Sequence, residues 1–410
     1  MGSSADGADH LDNQNVIIAG PSTPASVAEP PNADPAAFHT ASPSGLEPRV
    51  VMFDARYPPP FTGGKERQAH LLACALRDLS VAVRAVTLRY GRQQPDELDG
   101  VAVARFPNDI RRFHCIAIQL LRCRASSNIC HVHTPSWIGI YTGIVARALG
   151  YKVIFKIPNV QLSTRHGRLW RAALRSFDWL VVLDESTRQE YEAAGIDPER
   201  IFLGTNGVVV QERRNPSDRP VRPVEVLYLG RFVAQKGCRQ LLAAARLLGQ
   251  QAVGWHLTLM GSGPLQEELR ATIEASGLTK LVALAPWQED VYPVLRRADI
   301  MVVPSEREGM SNAILEAMSV GVPVVATDVG AARRLLGNEG NRFIVAPNDT
   351  APLCEAIRAL VCDPSAREEY GAALHARAKR LFDIQVVARE YKRLYERTLK
   401  SASVDAFEQV

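Results

Sequence analysis

Apolar runs of strand length alternate with helical patterns twice along this chain, and a polar break separates the two series. In the first series Arg49–Asp54, Val81–Leu88, Ile129–His133, Lys152–Ile157, Trp179–Leu183 and Arg200–Leu203 read as strands. Lys65–Leu79, Ser136–Leu149 and Ser186–Ala194 between them carry helical patterns. Gln211–Val221, rich in Arg, Asn, Pro and Ser, reads as a linker. The second series has strands at Val224–Leu229, His256–Met260, Leu281–Leu284, Ile300–Val303 and Pro323–Ala326, then helices at Leu353–Cys362 and Arg367–Leu381. Strand–helix alternation predicts a parallel sheet with helices on both faces. The fold class expected is therefore α/β, with two doubly wound domains facing across a cleft. A length of 410 residues also exceeds one ordinary core. The expected division is a tail over 1–48, a first domain over 49–215, a second over 216–383, and a terminal helix over 384–410 that packs back on the first domain. A ligand belongs in the crevice at the carboxyl ends of the strands.

Composition narrows the function. Residues 1–48 are rich in Ser, Ala, Pro, Asp and Asn, too poor in large apolar groups to offset the entropy of ordering, and read as disordered. No run approaches the roughly 20 apolar residues that span a bilayer. No charged start followed by an apolar run marks a secretory signal, so a cytoplasmic protein is expected. The seven cysteines form no C-x-x-C pair, which argues for reduced thiols and against a zinc ribbon. A net charge of +4 is too small to imply nucleic acid. Arg165, Arg168, Arg171 and Arg175 recur at helical spacing, with Arg111, Arg112, Arg122 and Arg124 upstream. Their ordinary reading is a solvated helix face. The sharper one is contact with an anionic acceptor or with an anionic membrane at its inner face.

Three motifs carry chemistry. Glu308-Gly-Met-Ser-Asn-Ala-Ile-Leu-Glu316 follows a strand and sets two carboxylates about a turn and a short helix. Eight helical residues rise about 12 Å. Hydrolytic carboxyl pairs lie closer, about 5–9.5 Å apart. The spacing suits instead the two ends of one elongated ligand, with Glu308 on sugar hydroxyls and Glu316 on ribose hydroxyls. The amides of Met310, Ser311 and Asn312 open the helix and point at oxygen. In Leu227-Tyr-Leu-Gly230-Arg231-Phe-Val-Ala-Gln-Lys236-Gly237 a strand ends in glycine and two cations follow. Gly230 permits close backbone approach. Arg231 can grip phosphate in a fork, and Lys236 adds a point charge. Gly63-Gly64, before a helix, makes a loop able to approach a phosphate or a sugar. Gly261-Ser-Gly263 resembles half of a dinucleotide fingerprint, but Gln266 stands where the third glycine belongs. His131 and His133 face one way from a strand, with no third metal ligand nearby in sequence, so His133 reads as a structural or substrate contact. No Asp-x-Asp occurs to suggest a metal-chelated diphosphate.

Together these residues resemble the family-4 retaining glycosyltransferases of GT-B fold, over about Arg49 to Leu399. The specific parts are Gly-Arg231-x4-Lys236-Gly and Glu308-x7-Glu316. The resemblance implies two Rossmann-like domains, a nucleotide diphosphate-sugar donor (UDP or GDP) as substrate, and no cofactor or metal. It implies that Arg231 and Lys236 bind the diphosphate and Glu316 the ribose. Glu308 and the Met310–Asn312 backbone would hold the sugar, the segment around Trp287 would cover the base, and Gly63 and Gly64 would flank the phosphate and acceptor side. Catalysis would retain the anomeric configuration by front-face attack, with Glu308, Arg231 and Lys236 acting on the reacting groups. The acceptor would be a small molecule or a lipid-linked glycan. Many members carry a histidine where this chain has Phe155-Lys156-Ile157, which makes Lys156 a candidate contact to phosphate or sugar. Asn206-Gly-Val-Val209 lacks an aspartate common after that motif, and Arg334 replaces a common glutamate. Other enzymes of the fold, a nucleotide-sugar epimerase or a sugar phosphorylase, remain as alternatives, as does a degenerate nucleotide-sugar-binding protein.

Overall fold

The computed structural model of the chain describes residues 47–59, 63–91, 94–158, 167–214, 222–252 and 254–407. These belong to one unit, Ser44–Val410. The expected tail, except Glu47 and Pro48, lies outside the described residues, as do Arg165 and the end of the expected linker.

The first half runs β1 (Arg49–Phe53), α1 (Gly64–Asp78), β2 (Ala82–Arg89), β3 (Glu97–Leu98), β4 (Val101–Pro107), α2 (Arg112–Cys123), β5 (Ile129–Val132), α3 (Trp137–Ala148), β6 (Lys152–Ile157), α4 (Arg168–Ser176), β7 (Trp179–Val182), α5 (Glu185–Ala193) and β8 (Ile201–Leu203). Its sheet has the order β3-β4-β2-β1-β5-β6-β7-β8. All pairs are parallel except β3–β4. That edge hairpin turns through Asp99 and Gly100, both at positive φ (46° and 73°), the conformation a two-residue loop requires.

The second half runs β9 (Val224–Leu229), α6 (Cys238–Gln251), β10 (Trp255–Met260), α7 (Gln266–Ala275), β11 (Val282–Ala285), α8 (Tyr292–Arg297), β12 (Ile300–Val303), α9 (Asn312–Ser319), β13 (Val324–Thr327), α10 (Ala332–Leu336), β14 (Ile344–Val345), α11 (Thr350–Cys362), α12 (Pro364–Arg377) and α13 (Ile384–Phe407). Its sheet order is β11-β10-β9-β12-β13-β14, all parallel. Each sheet reverses its winding beside its first strand, β1 or β9, and a ligand crevice opens at such a point.

Three apolar clusters hold this together. One fills the second half. The other two lie on opposite faces of the first sheet, beneath α2, α3 and α4 on one side and beneath α1 and α13 on the other. The periodicity of α1 explains its side: Gln68, Ala69, Leu72, Ala73 and Leu76 are its buried stripe. Helix α13 returns to the first sheet by burying Ile384, Val387, Tyr391 and Tyr395 there. The start of the expected linker is packed rather than loose. Gln211 N donates to Ser319 O, and the buried Arg214 guanidinium donates to the carbonyls of Ala298 and Gly321. Two carbonyls that need donors recruit an arginine whose type alone reads as solvent-loving. Among the described residues no helix is long and apolar enough to cross a membrane.

Candidate active site

The first sheet supplies one wall. Gly63 precedes α1, and a Cβ built on Gly64 would fall 2.4 Å from Asn312 Nδ2, so the helix start lies directly against the second half. Gln68 Nε2 donates to Gly207 O at 2.8 Å, and Gly207 N donates back to Gln68 Oε1 at 3.0 Å. Asp54, just past β1, is fully buried with Lys65 Nζ at 3.4 Å. Burial pushes its carboxyl upward against the pull of Lys65. His133 Nε2 lies 3.3 Å from His131 Nδ1, which meets the Tyr395 hydroxyl at 2.8 Å. Burial holds both rings well below the ordinary histidine range, so they stay neutral. Lys156 Nζ donates to Asn206 Oδ1 at 3.1 Å. Its burial lowers it to about 8, with Asp54 opposing the shift.

The second sheet supplies the facing wall. Gly230 follows the end of β9, and its carbonyl would lie 1.9 Å from a Cβ on Gly261, just past β10, so the two strand ends touch backbone to backbone. The exposed Arg231 follows. A single turn, Ala234–Lys236, closes on Gly237 at φ 70°. Lys236 Nζ reaches Glu308 Oε2 at 2.5 Å, and Ser305 Oγ donates to the same oxygen at 3.1 Å. Ser311 caps α9, so Glu308 stands on the loop before the helix rather than on it. Met310 Sδ accepts from Asn206 N at 3.0 Å and from Thr205 Oγ1 at 3.3 Å. Asn312 Oδ1 accepts from Asn206 Nδ2 at 3.0 Å. Glu316, one turn into α9, faces Arg67 Nη1 at 3.5 Å. Burial raises its carboxyl to about 7, against the lowering effect of Arg67. Trp287 stands partly exposed beyond β11.

Between the walls lies a cavity of about 560 Å³. Gly63, Gly64, His133, Lys156, Gly230, Arg231, Lys236, Trp287, Glu308, Met310, Ser311, Asn312 and Glu316 all line it. That volume is of the size that holds a ligand of several linked groups. Lys65, Arg67, Gln68 and Asn206 line it too. No spacing in the sequence marks Lys65, Arg67 and Gln68, although the Gly-Gly pair just before them locates all three, and Asn206 stands in the Asn-Gly-Val segment. Arg334, noted only as a departure, donates to Gly204 O at 2.7 Å, Leu203 O at 3.3 Å and Leu183 O at 3.5 Å, tying the second half to the ends of β7 and β8. Among the described residues, the side chains grouped closely enough to hold a metal are His70, Cys74 and Asp99, outside the cavity lining. Both nitrogens of His70 are already engaged there, by the Tyr57 hydroxyl at 2.9 Å and Asp99 at 2.8 Å.

Comparison with known proteins agrees with this geometry. Residues 62–212 match the model of Glycosyltransferase Family 4, and residues 223–363 match that of Glycosyl transferases group 1. The lipopolysaccharide core biosynthesis glycosyltransferase LpsE of Rhizobium meliloti is 28% identical over 344 residues, covering 81% of this chain and 95% of that protein. Sucrose-phosphate synthase from Thermosynechococcus elongatus shares the fold with a TM-score of 0.70 at 20% identity, over 87% of this chain and 100% of the other. HepE of Anabaena, solved with UDP and glucose, does so with a TM-score of 0.71 at 19% identity, over 85% and 99%. Both halves of the molecule, and the cleft they enclose, thus place the chain among the family-4-type glycosyltransferases of GT-B fold.

Proposed function

We propose that the protein is a retaining, metal-independent hexosyltransferase that takes a sugar from a UDP or GDP donor. The observation that carries this reading is one cavity with paired cations at the end of β9 and paired carboxylates about the start of α9. Arg231 and Lys236 neutralise the donor diphosphate and the charge that grows on it as it departs, the task for which a metal would otherwise be needed. Glu316 accepts hydrogen bonds from the ribose. Glu308, fixed by Lys236 and Ser305, accepts them from the sugar, with the Met310–Asn312 amides beside it. Trp287 lies against the base. The acceptor, a small molecule or a lipid-linked glycan, enters along Gly63, Gly64, His133 and Lys156. The bond from the anomeric carbon to the diphosphate oxygen breaks while the acceptor oxygen bonds on the same face. The acceptor proton passes to the departing phosphate. LpsE's part in lipopolysaccharide core biosynthesis supports a place in polysaccharide, glycolipid or glycoconjugate assembly, and HepE's complex with UDP and glucose supports a uridine donor.

Thermal shift with UDP, GDP, ADP and TDP, free and sugar-linked, with and without EDTA, tests the donor. A ligand at about 100 times its dissociation constant stabilises by about 2.7 kcal/mol. One nucleotide should shift melting regardless of EDTA, and Lys236→Ala and Glu316→Ala should abolish both that shift and transfer while the proteins stay folded. Unchanged turnover in either variant would sink the assignment.

A further inference from the structure

Most of the large apolar side chains that stand exposed among the described residues lie on one layer of the first half, α2, α3 and α4. They are Ile110, Ile118, Leu121, Trp137, Ile144 and Leu169, with Ile110 at 88% and Leu169 at 79% exposure. The three helices form a continuous surface. The Tyr141 hydroxyl of α3 donates to Phe113 O of α2 at 3.0 Å, and Trp137 of α3 packs edge-on against Trp170 of α4 at 5.2 Å. The same helices contain no aspartate or glutamate, yet carry arginine at 112, 122, 147, 168, 171 and 175. Two of these arginines serve the fold: Arg147 pairs with Asp178 at 3.8 Å, and Arg175 holds the carbonyls of Ala194 and Gly195. Arg122, Arg168 and Arg171 stand exposed among the apolar groups.

We propose that this layer is a docking face for a lipid bilayer with anionic head groups. Apolar side chains interleaved with arginine are the chemistry of an interfacial surface: the apolar groups enter the acyl boundary, and the guanidinium groups meet phosphate. Tryptophan settles at that boundary. Charge argues against a second copy of the chain as the occupant, because a two-fold contact would set arginines against arginines. The face also has a direction. Ile110, Trp137 and Leu169 sit at or just before the N-terminal ends of α2, α3 and α4. Those ends follow the carboxyl ends of β4, β5 and β6, where His133 and Pro158 line the cavity. The apolar anchors therefore stand at the cavity end of the layer, where an amphiphilic acceptor held in the bilayer meets the first wall of the cleft.

Flotation of the full chain tests this with phosphatidylcholine vesicles and with vesicles containing about 30% phosphatidylglycerol, at low and high salt. The protein should float with the anionic vesicles alone, and less at high salt. The triple variants Ile110→Ser/Trp137→Ser/Leu169→Ser and Arg122→Glu/Arg168→Glu/Arg171→Glu should each lose about tenfold or more of the binding. Arg270→Glu/Lys280→Glu, off this face, should bind as the unmodified chain does. Donor-induced thermal shift, read on the same preparations, should be unchanged in every variant, which shows them folded and keeps this test apart from that of the donor. The proposal is overturned if the unmodified chain fails to float on anionic vesicles, or if both triple variants still float. It is equally overturned if the chain sediments as a dimer that the triple variants dissociate, which would give the face to a second copy.

Discussion

Glu316 is a carboxylate largely enclosed between two halves of a protein, its side chain 16% exposed, with Arg67 opposite it. Burial raises it to about 7 while Arg67 pulls the other way. In the empty cleft it is therefore substantially protonated below neutrality. A ribose donates its hydroxyl protons and needs the carboxylate form. The sign follows: a group with a raised pKa must lose its proton before the donor binds well, so donor affinity climbs as pH rises through about 7. Between pH 8 and pH 6 the dissociation constant of the intact nucleotide sugar should weaken about tenfold, and Glu316→Gln should flatten that dependence. Calorimetric titrations across this range decide it, and a flat profile in the unmodified protein would show that Glu316 ionises without hindrance. The residues of this site were legible because their signals are local. Gly-Arg231-x4-Lys236 and Glu308-x7-Glu316 each lie within one strand–loop–helix stretch. Arg67 and Asp54 were not, because each owes its role to a partner far away in sequence: Arg67 meets Glu316, and Asp54 accepts from the Thr134 hydroxyl. Asn206 stood in the Asn-Gly-Val segment, but its contacts with Lys156, Met310 and Asn312 are equally distant in sequence.

At the scale of the element, the loops that carry these side chains are fixed by backbone contacts. Gly237 has φ 70°, and a Cβ there would lie 1.8 Å from Pro304 O, the loop that leads to Glu308. Gly330 repeats the arrangement on the other side, its Cβ position 2.2 Å from the carbonyls of Glu308 and Gly309. Gly237→Ala should cost about 2 kcal/mol or more, from strain and from displacement of the backbone it meets. It should also erase the donor-induced thermal shift by moving Lys236. Gly277, also at positive φ (67°) but with nothing within 4 Å, is the control. Its alanine variant should cost about 1 kcal/mol and leave donor binding intact. Urea unfolding of both variants supplies the comparison, and equal costs would mean that strain alone sets them. Elements such as β5, β9 and β12 announced themselves as apolar runs between helical patterns. The β3–β4 hairpin did not, although Asp99-Gly100 is a turn signal. Strand β4 is interrupted by Arg105, whose guanidinium serves the carbonyls of Pro58, Pro59 and Pro95. A strand that spends one of its positions on distant carbonyls loses the pattern by which strands are recognised.

At the scale of the molecule, two halves that each fold about their own sheet meet through few side chains. Arg67 faces Glu316, Asn206 reaches Met310 and Asn312, and Arg334 holds the carbonyls of Leu203 and Gly204. The residues assigned to the donor lie on the second half, and those assigned to the acceptor lie on the first. Arg334 touches neither assigned group and can act only on how the walls meet. Removing it leaves carbonyls at the ends of β7 and β8 without their donor, a loss of about 1–3 kcal/mol in a contact between halves. Arg334→Ala should therefore lower kcat about tenfold and leave the donor dissociation constant within about twofold. Arg334→Lys, which keeps the charge but not the fork, should recover part of the rate. Steady-state kinetics beside donor calorimetry separates the outcomes. An equal fall in donor affinity would mean that the second half binds its nucleotide well only when the first is held against it, and the Arg67–Glu316 contact would then be the place where that dependence enters.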